Sequence, residues 1–385
     1  MIDCIPRANQ WDFSLYYIQS LAMRHGINPY LTDVSPLGAK LGLQAAPIRY
    51  AVDTPTFLLV FEPLTRLSPD GAHLVWLILG SIAFACALFV LLSGEPGIDR
   101  TSAFSIAAIM GCFPPLIDHF QQGQSQVFVL VMLALSMRLM QRRRDGAAGL
   151  ILAAATLLRL YPMVLAGYLV VRGRWRCLSW MIAGLILGGA LTAAMLGIER
   201  TLSFFTALGL TGGNNLLSLP ASLVTRPNLG MSAFLTQAMP GMSGSILKIL
   251  KLALALFLIG LTALSTWSSA STDLDNRAFA LWTVTMLMIA PIVWLHYLVI
   301  LLLAYAEMIA AYARGHLTST SARLALASFL WIALWSEVTF GFAGQMNSIE
   351  LRAISLLAFP GLLIAWIGVF TFARERAPMD AHESA

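Results

Sequence analysis

The sequence predicts an all-α, polytopic integral membrane protein: one membrane-embedded domain, residues 1–385, with about nine full helical spans and a re-entrant helical hairpin. Three observations carry this. The chain of 385 residues is 58% hydrophobic and only 11% charged, with a mean hydropathy of +0.77, a composition no soluble domain has. Its apolar runs are too long and continuous for barrel strands. Arginine clusters in short turns between those runs, as in loops held on the cytoplasmic side.

Residues 1–53 hold no spanning segment. Trp11 to Met23 alternates polar and apolar residues at helical spacing and predicts an interfacial helix. Residues 54–67 are apolar but short and contain Glu62, Pro63 and Arg66, so a helix lying on the membrane is predicted. The transmembrane bundle occupies 71–373, with spans at 71–93, 101–117, 125–140, 177–197, 246–267, 278–294, 297–313, 322–340 and 350–373. Residues 198–245, rich in Gly, Asn, Ser and Pro, form an outer loop, and 374–385 a frayed cytoplasmic tail.

The hairpin, 147–171, is the most informative stretch. Arg142, Arg143 and Arg144 precede it, and Arg172, Arg174 and Arg176 follow it. With both clusters inside, the segment between them crosses an even number of times, yet it is too short for two spans of roughly 20 residues each. Two short helices that enter and leave on one face fit, with Arg159-Leu160-Tyr161-Pro162 at the tip. The competing reading is one long tilted helix with Arg159 in a polar bundle contact. An intramembrane arginine points to a functional site, and a planar guanidinium suits an anion such as a lipid phosphate.

Alternation from these basic turns places residues 1–70 outside, together with the 118–124 turn, the Trp294 to Tyr297 corner and the 341–349 turn. Because no span precedes residue 1, we expect that a first helix lies upstream of Met1. No secretory signal is present, since Met1 to Trp11 is polar. The four cysteines are scattered, without metal-type spacing. No basic stripe with interleaved aromatics indicates nucleic acid. Gly212-Gly213 follows no strand and precedes no GK[ST], so no nucleotide site is visible and no cofactor or metal is expected.

Polar residues that interrupt the apolar pattern converge on the outer face. They are Asp12 in Trp11-Asp12-Phe13-Ser14-Leu15-Tyr16-Tyr17; His119, Gln124 and Gln126 in the turn after Asp118; Asn214 and Asn215; and Trp294, His296 and Tyr297 after Pro291. Carboxamides and imidazoles bond sugar hydroxyls, and aromatic faces pack on pyranose rings. A sugar transferase also needs a carboxylate as general base. The outside carboxylates are Asp3, Asp12, Asp33, Asp53, Glu62, Asp70, Asp118, Glu199 and Glu350. Asp12 is preferred because aromatics flank it at a helix start, where a plain capping role is the alternative.

These residues, in this order, resemble glycosyltransferase family 87, the polyprenol-phosphate-mannose-dependent mannosyltransferases of the membrane-embedded C-type glycosyltransferase fold. The similar pieces are Asp12-Phe13 with Tyr16-Tyr17, Gly26 to Tyr30, Pro55 to Pro63, Pro115 to Gln126, Ala148-Gly149 through Pro162, Asn214-Asn215-Leu216 with Ser222-Leu223, and Pro291 to Tyr297.

The resemblance implies periplasmic juxtamembrane helices and an inverting transfer, on the extracytoplasmic face of the plasma (inner) membrane, from a polyprenyl-phosphate-linked sugar to a glycolipid or glycan acceptor. Asp12 would be the general base and Arg159 the donor-phosphate residue, standing where the family usually has lysine. Tyr16, Tyr17, His119, Gln124, Gln126, Tyr161, Asn214, Asn215, Trp294, His296 and Tyr297 would bind substrate. Two departures stand out: the family's first helix is absent, and its Gly-Gln-x-Asn pattern reads Gly123-Gln124-Ser125-Gln126. A lipid or sugar transporter or flippase also expects broken helices and an intramembrane charge, but no repeat relates the two halves. A non-catalytic partner in envelope assembly is the third reading.

Overall fold

The computed structural model describes residues 11–43, 51, 53–93, 95, 97–207, 228–267, 272–342 and 348–375. It is helical throughout these residues. Before the first span come α1 (Trp11–Arg24), α2 (Ser35–Lys40) and α3 (Pro55–Phe61), the last continued by a 3₁₀ turn, Glu62–Arg66. The bundle follows: α4 (Pro69–Leu92), α5 (Arg100–Gly111), α6 (Pro114–Gln122), α7 (Gln126–Gln141), α8 (Asp145–Leu158), a 3₁₀ turn Tyr161–Val164 with α9 (Leu165–Val171), and α10 (Trp175–Leu196). Then come α11 (Ile198–Ala207), α12 (Met231–Ala238), α13 (Gly244–Thr266), α14 (Thr272–Ile289), a 3₁₀ turn Leu295–Ile300 running into α15 (Leu301–Ala313), α16 (Ser319–Phe342) and α17 (Ser348–Arg374).

Helix α1 differs from an interfacial helix. Residues 12–23 are buried without interruption, because its aromatic side is wedged into a second core. Tyr16 meets Phe57 edge-on at 4.7 Å, Phe61 meets Trp76 at 5.0 Å, and Trp76 meets Phe128 at 4.7 Å. Helix α3 is capped by Thr54, whose Oγ1 accepts the Phe57 amide at 3.2 Å. It narrows to a 3₁₀ turn where Pro63 removes a backbone donor.

Among the described residues, five helices are long and apolar enough to cross a membrane, or six if a bent pair counts as one span. That pair is α5 and α6, which meet at 59°. The expected straight span 101–117 is therefore broken, because Pro114 and Pro115 end one helix and open the next. Helix α7, at 16 residues, reaches only about 24 Å. It lies in the bundle interior, with Val127, Val129, Leu130, Leu133 and Ala134 fully buried, where protein rather than lipid surrounds its ends. Helices α10 and α13 do the opposite. They expose Ile182, Ile186, Leu187, Leu191, Ile249, Leu252, Leu256 and Phe257, apolar surface of the kind that a bilayer covers.

The segment 145–174 forms the expected hairpin. Arg174 Nη1 at its exit donates to Asp145 Oδ1 at its entry, 3.0 Å away, so both ends sit on one side of the bundle. Arg172 and Arg174 also pair with Asp275 at the start of α14. At the same end Arg138 pairs with Glu95 at 2.6 Å, and Arg314 bridges Glu95 and Glu307. Glu375, expected in a frayed tail, accepts from the Thr318 amide at 3.1 Å, and its carbonyl accepts from Arg277 at 3.1 Å. The described part of the expected outer loop, 198–245, carries α11 and α12.

Helix α8 lies against α10 through small residues, the usual way membrane helices approach closely. A Cβ at Gly149 would stand 2.2 Å from the Cys177 carbonyl oxygen, and one at Gly188 2.3 Å from Leu157 Cδ1. Gly149→Ala is therefore expected to force the helices apart, lowering stability by about 1–3 kcal/mol. The check is the melting temperature of purified protein in detergent.

Candidate active site

Arg159 ends α8 in an extended conformation, φ −145° and ψ 127°. Tyr161 and Pro162 then open the 3₁₀ turn, so the guanidinium is carried on a break between helices, at the end of the hairpin remote from its salt-bridged base. Three elements converge on it. The first is α1, which presents Asp12 and Tyr16 one turn apart on one face. The second is the turn 123–126. It exists because α6 ends in a left-handed glycine, Gly123 at φ +65°. That glycine also lets the turn touch α1, since a Cβ there would lie 2.7 Å from Phe13 Cβ. Trp76 Nε1 fixes the turn by donating to the Gly123 carbonyl at 2.8 Å. The third is the corner after Pro291, bearing Trp294, His296 and Tyr297.

The Arg159 guanidinium is held at three points. Nε donates to Ser125 Oγ at 2.9 Å, Nη1 pairs with Asp53, and Nη2 donates to the Tyr16 hydroxyl. Tyr16 passes the chain on, donating to Gln124 Oε1 at 2.6 Å. Burial raises the Tyr16 hydroxyl well above the usual phenol range, so it keeps the proton it donates. Tyr161 donates to Gln126 Oε1, and its ring lies 5.7 Å from that of Tyr297. His296 is fully buried, with Nδ1 3.0 Å from Asp118 Oδ2 and its ring 5.8 Å from Trp294 and 5.2 Å from Tyr297. His119, also buried, is close enough to feel the charges of His296 and Arg159. Asp12, 8% exposed, is near enough to Asp53, Tyr16 and Tyr297 to act on each electrostatically.

Of the residues singled out from the sequence, the structure thus gathers Asp12, Tyr16, His119, Gln124, Gln126, Arg159, Tyr161, Trp294, His296 and Tyr297. Tyr17 stands apart: its hydroxyl donates to the Leu67 carbonyl at 2.9 Å, which ties α1 to the start of α4. Asn214 and Asn215 lie outside the described residues. Among the described residues His119 Nδ1, His296 Nε2 and Gln126 Nε2 are buried without a hydrogen-bond partner. Buried polar atoms are rarely left so, and here three belong to one cluster of side chains.

Three members were not selected from the sequence. Ser125 fills the third place of the Gly123 to Gln126 pattern. Asp118 orients His296 and is adjacent to His119. Asp53 is one of nine carboxylates expected on the outer side, and local sequence does not distinguish it from the others. It is 2% exposed. Burial pushes its carboxyl above the usual range, Arg159 pulls it back down, and Asp12 adds to the rise. Among the described residues no group of three or more His, Cys, Asp or Glu is placed to hold a metal ion. The arrangement offers one fixed cation, two acidic groups beside it, and a rim of amides, imidazoles and aromatic rings. It can bind an anion and a polyhydroxyl ring side by side.

Comparison with protein families gives a match to glycosyltransferase family 87 over residues 52–291, more than half of the chain. The chain belongs to glycosyltransferase family 87. The match takes in Asp53, the 123–126 turn and the whole hairpin of this family 87 protein. Asp12 and the Trp294 to Tyr297 corner fall outside it and are joined to the site by geometry. No curated protein matches the chain. Among solved structures it is similar to ArnT from Cupriavidus metallidurans in the apo state, at 13% identity and a TM-score of 0.44, covering 96% of this chain and 73% of that one. The same protein bound to undecaprenyl phosphate gives 13% identity and a TM-score of 0.38 over the same shares.

Proposed function

We infer that this family 87 glycosyltransferase moves a sugar, mannose by family resemblance, from a polyprenyl-phosphate donor to an acceptor hydroxyl with inversion at the anomeric carbon. The observation that supports the reading is that Tyr16, on α1, is hydrogen-bonded by Arg159 from the hairpin tip and lies within electrostatic reach of Asp12, one turn before it on the same helix. The donor's isoprenoid chain lies in the bilayer and its phosphodiester reaches Arg159. Asp12 accepts the proton of the acceptor hydroxyl as that oxygen attacks the anomeric carbon from the face opposite the phosphate. The bond between the anomeric carbon and the phosphate oxygen breaks, and a phosphate monoester leaves with its new charge against the guanidinium. His119, Gln126 and His296 supply the unpartnered polar atoms that a sugar's hydroxyls would meet, and Trp294 and Tyr297 the rings it would pack on.

The basic end of the bundle, with Arg138, Arg172, Arg174 and Arg314, fits the cytoplasmic side, which supports a site on the extracytoplasmic face of the plasma membrane. The acceptor is then a glycolipid or glycan. Incubation of the purified protein with radiolabelled polyprenyl-phosphate mannose and a membrane glycolipid extract tests the reading. Label appearing in the glycolipid, with release of polyprenyl phosphate, is expected. Intact donor after prolonged incubation with every acceptor, alongside facilitated movement of lipid between vesicle leaflets, would overturn it in favour of a flippase.

A further inference from the structure

We propose that Asp53 is a resident counter-anion for Arg159, a positioning residue that exchanges with the donor phosphate on binding and drives the phosphate product off after transfer. The inference rests on the reading of Arg159 as the phosphate residue. A guanidinium has five N–H donors in a fixed fork. Nε and Nη2 are closed by Ser125 and Tyr16, and Nη1 by Asp53. Every one of the three nitrogens thus already carries a partner, and a phosphate that engages the fork with two parallel bonds shares its nitrogens with these groups and competes with them. Of the three only Asp53 is an anion, and only its displacement leaves the local charge balanced.

The Asp53 backbone cannot swing away as a loop. Tyr30 Oη donates to the Asp53 carbonyl at 2.8 Å. The next residue, Thr54, donates through Oγ1 to the carbonyls of Leu157 at 2.6 Å and Leu158 at 3.1 Å, the last turn of α8 before Arg159. Asp53 is thus bolted to the helix that carries its partner, and exchange means rotation of the carboxylate alone. The titratable groups around it are Arg159 from the hairpin tip, Asp12 and Tyr16 from α1, Tyr297 from the corner after Pro291, and Tyr30. Released from Arg159, the carboxylate remains buried and within reach of the charge of Asp12, both of which favour taking up a proton.

The chemistry of the reaction gives this a use. The donor is a phosphodiester with one negative charge, whereas the product monoester carries up to two. An arginine without a competing anion would hold product more tightly than donor and stall. Asp53, fixed beside Arg159, reclaims it as the product leaves.

The test compares wild type, Asp53→Asn, Asp53→Glu and Arg159→Ala, purified in detergent, with dodecyl phosphate as a soluble monoester probe and polyprenyl phosphate as product. Asp53→Asn is expected to bind dodecyl phosphate about tenfold more tightly than wild type and to lower the inhibition constant of polyprenyl phosphate by a similar factor. Asp53→Glu should stay near wild type, and Arg159→Ala should lose binding. If Asp53→Asn is unstable alone, dodecyl phosphate must raise its melting temperature more than it raises that of wild type, because the added anion replaces the missing one. Unchanged or weaker binding by Asp53→Asn, or no extra thermal rescue, overturns the assignment, as does a wild type that binds no phosphate. Tighter binding by Asp53→Asn in a protein that never consumes polyprenyl-phosphate sugar would uphold the counter-anion and refute the transferase reading instead.

Discussion

Asp12→Asn is expected to lower the turnover of polyprenyl-phosphate sugar by about 10²–10⁴-fold while leaving the protein folded and donor affinity little changed. Asparagine matches the aspartate in shape and still accepts a hydrogen bond through its carbonyl oxygen, so its place at the start of α1 is kept. What it loses is the capacity to take a proton. The cluster contains a second carboxylate, Asp53, and the two should respond differently. Asp53 is tied to Arg159 and acts on phosphate affinity, so its removal alters binding and product inhibition. Asp12, at the start of α1, is assigned to the chemical step, so its removal alters the rate of transfer. Single-turnover rates measured at saturating donor separate the two. A normal rate in Asp12→Asn, or a collapse confined to Asp53→Asn, would transfer the base to Asp53.

Arg159→Ala is expected to raise the donor KM by about 10- to 150-fold, the loss that goes with a charge-assisted hydrogen bond of about 1.5–3 kcal/mol. It also strands Asp53, a buried carboxylate, without its partner. Breaking a buried pair in this way costs about 3–5 kcal/mol of stability, so low yield of this variant is expected too. Arg159→Lys separates the two effects. Lysine retains the charge and satisfies Asp53, but it is a point donor and cannot reach Ser125 and Tyr16 in the same fork. The variant should fold at near wild-type yield, with a donor KM between those of wild type and Arg159→Ala. Donor titrations at fixed acceptor, with yield followed by size-exclusion chromatography, check both statements. An alanine variant with unaltered donor KM would remove Arg159 from phosphate binding.

Much of the architecture was legible because in a membrane it is written in composition and charge. The hairpin followed from two arginine clusters and the shortness of the run between them, and Arg174 closing on Asp145 is the same fact seen in three dimensions. The bend between α5 and α6 was not read, although Pro114-Pro115 signalled it, because apolar character continues across the break. The count of about nine spans was read from hydropathy, which cannot tell a helix crossing lipid from one buried in the bundle. Helix α7 shows why: its apolar residues face protein. The burial of α1 was equally hidden, since its aromatic and polar residues alternate as they would at a membrane surface, and only packing on Phe57, Phe61 and Trp76 distinguishes the two.

The sequence by itself determined that this chain is a helical membrane protein, that its basic turns share one end, and that one arginine is carried away from them on a broken helix. Tertiary structure decided which of nine carboxylates expected on the outer side meets that arginine. Nothing local marks Asp53, because its environment is made by a hairpin tip 106 residues further along, a turn, and a helix near the amino terminus. Hydropathy and charge act along the chain and survive in one dimension, whereas the pairing of a buried cation depends on distances of a few ångströms that exist only after the helices have packed.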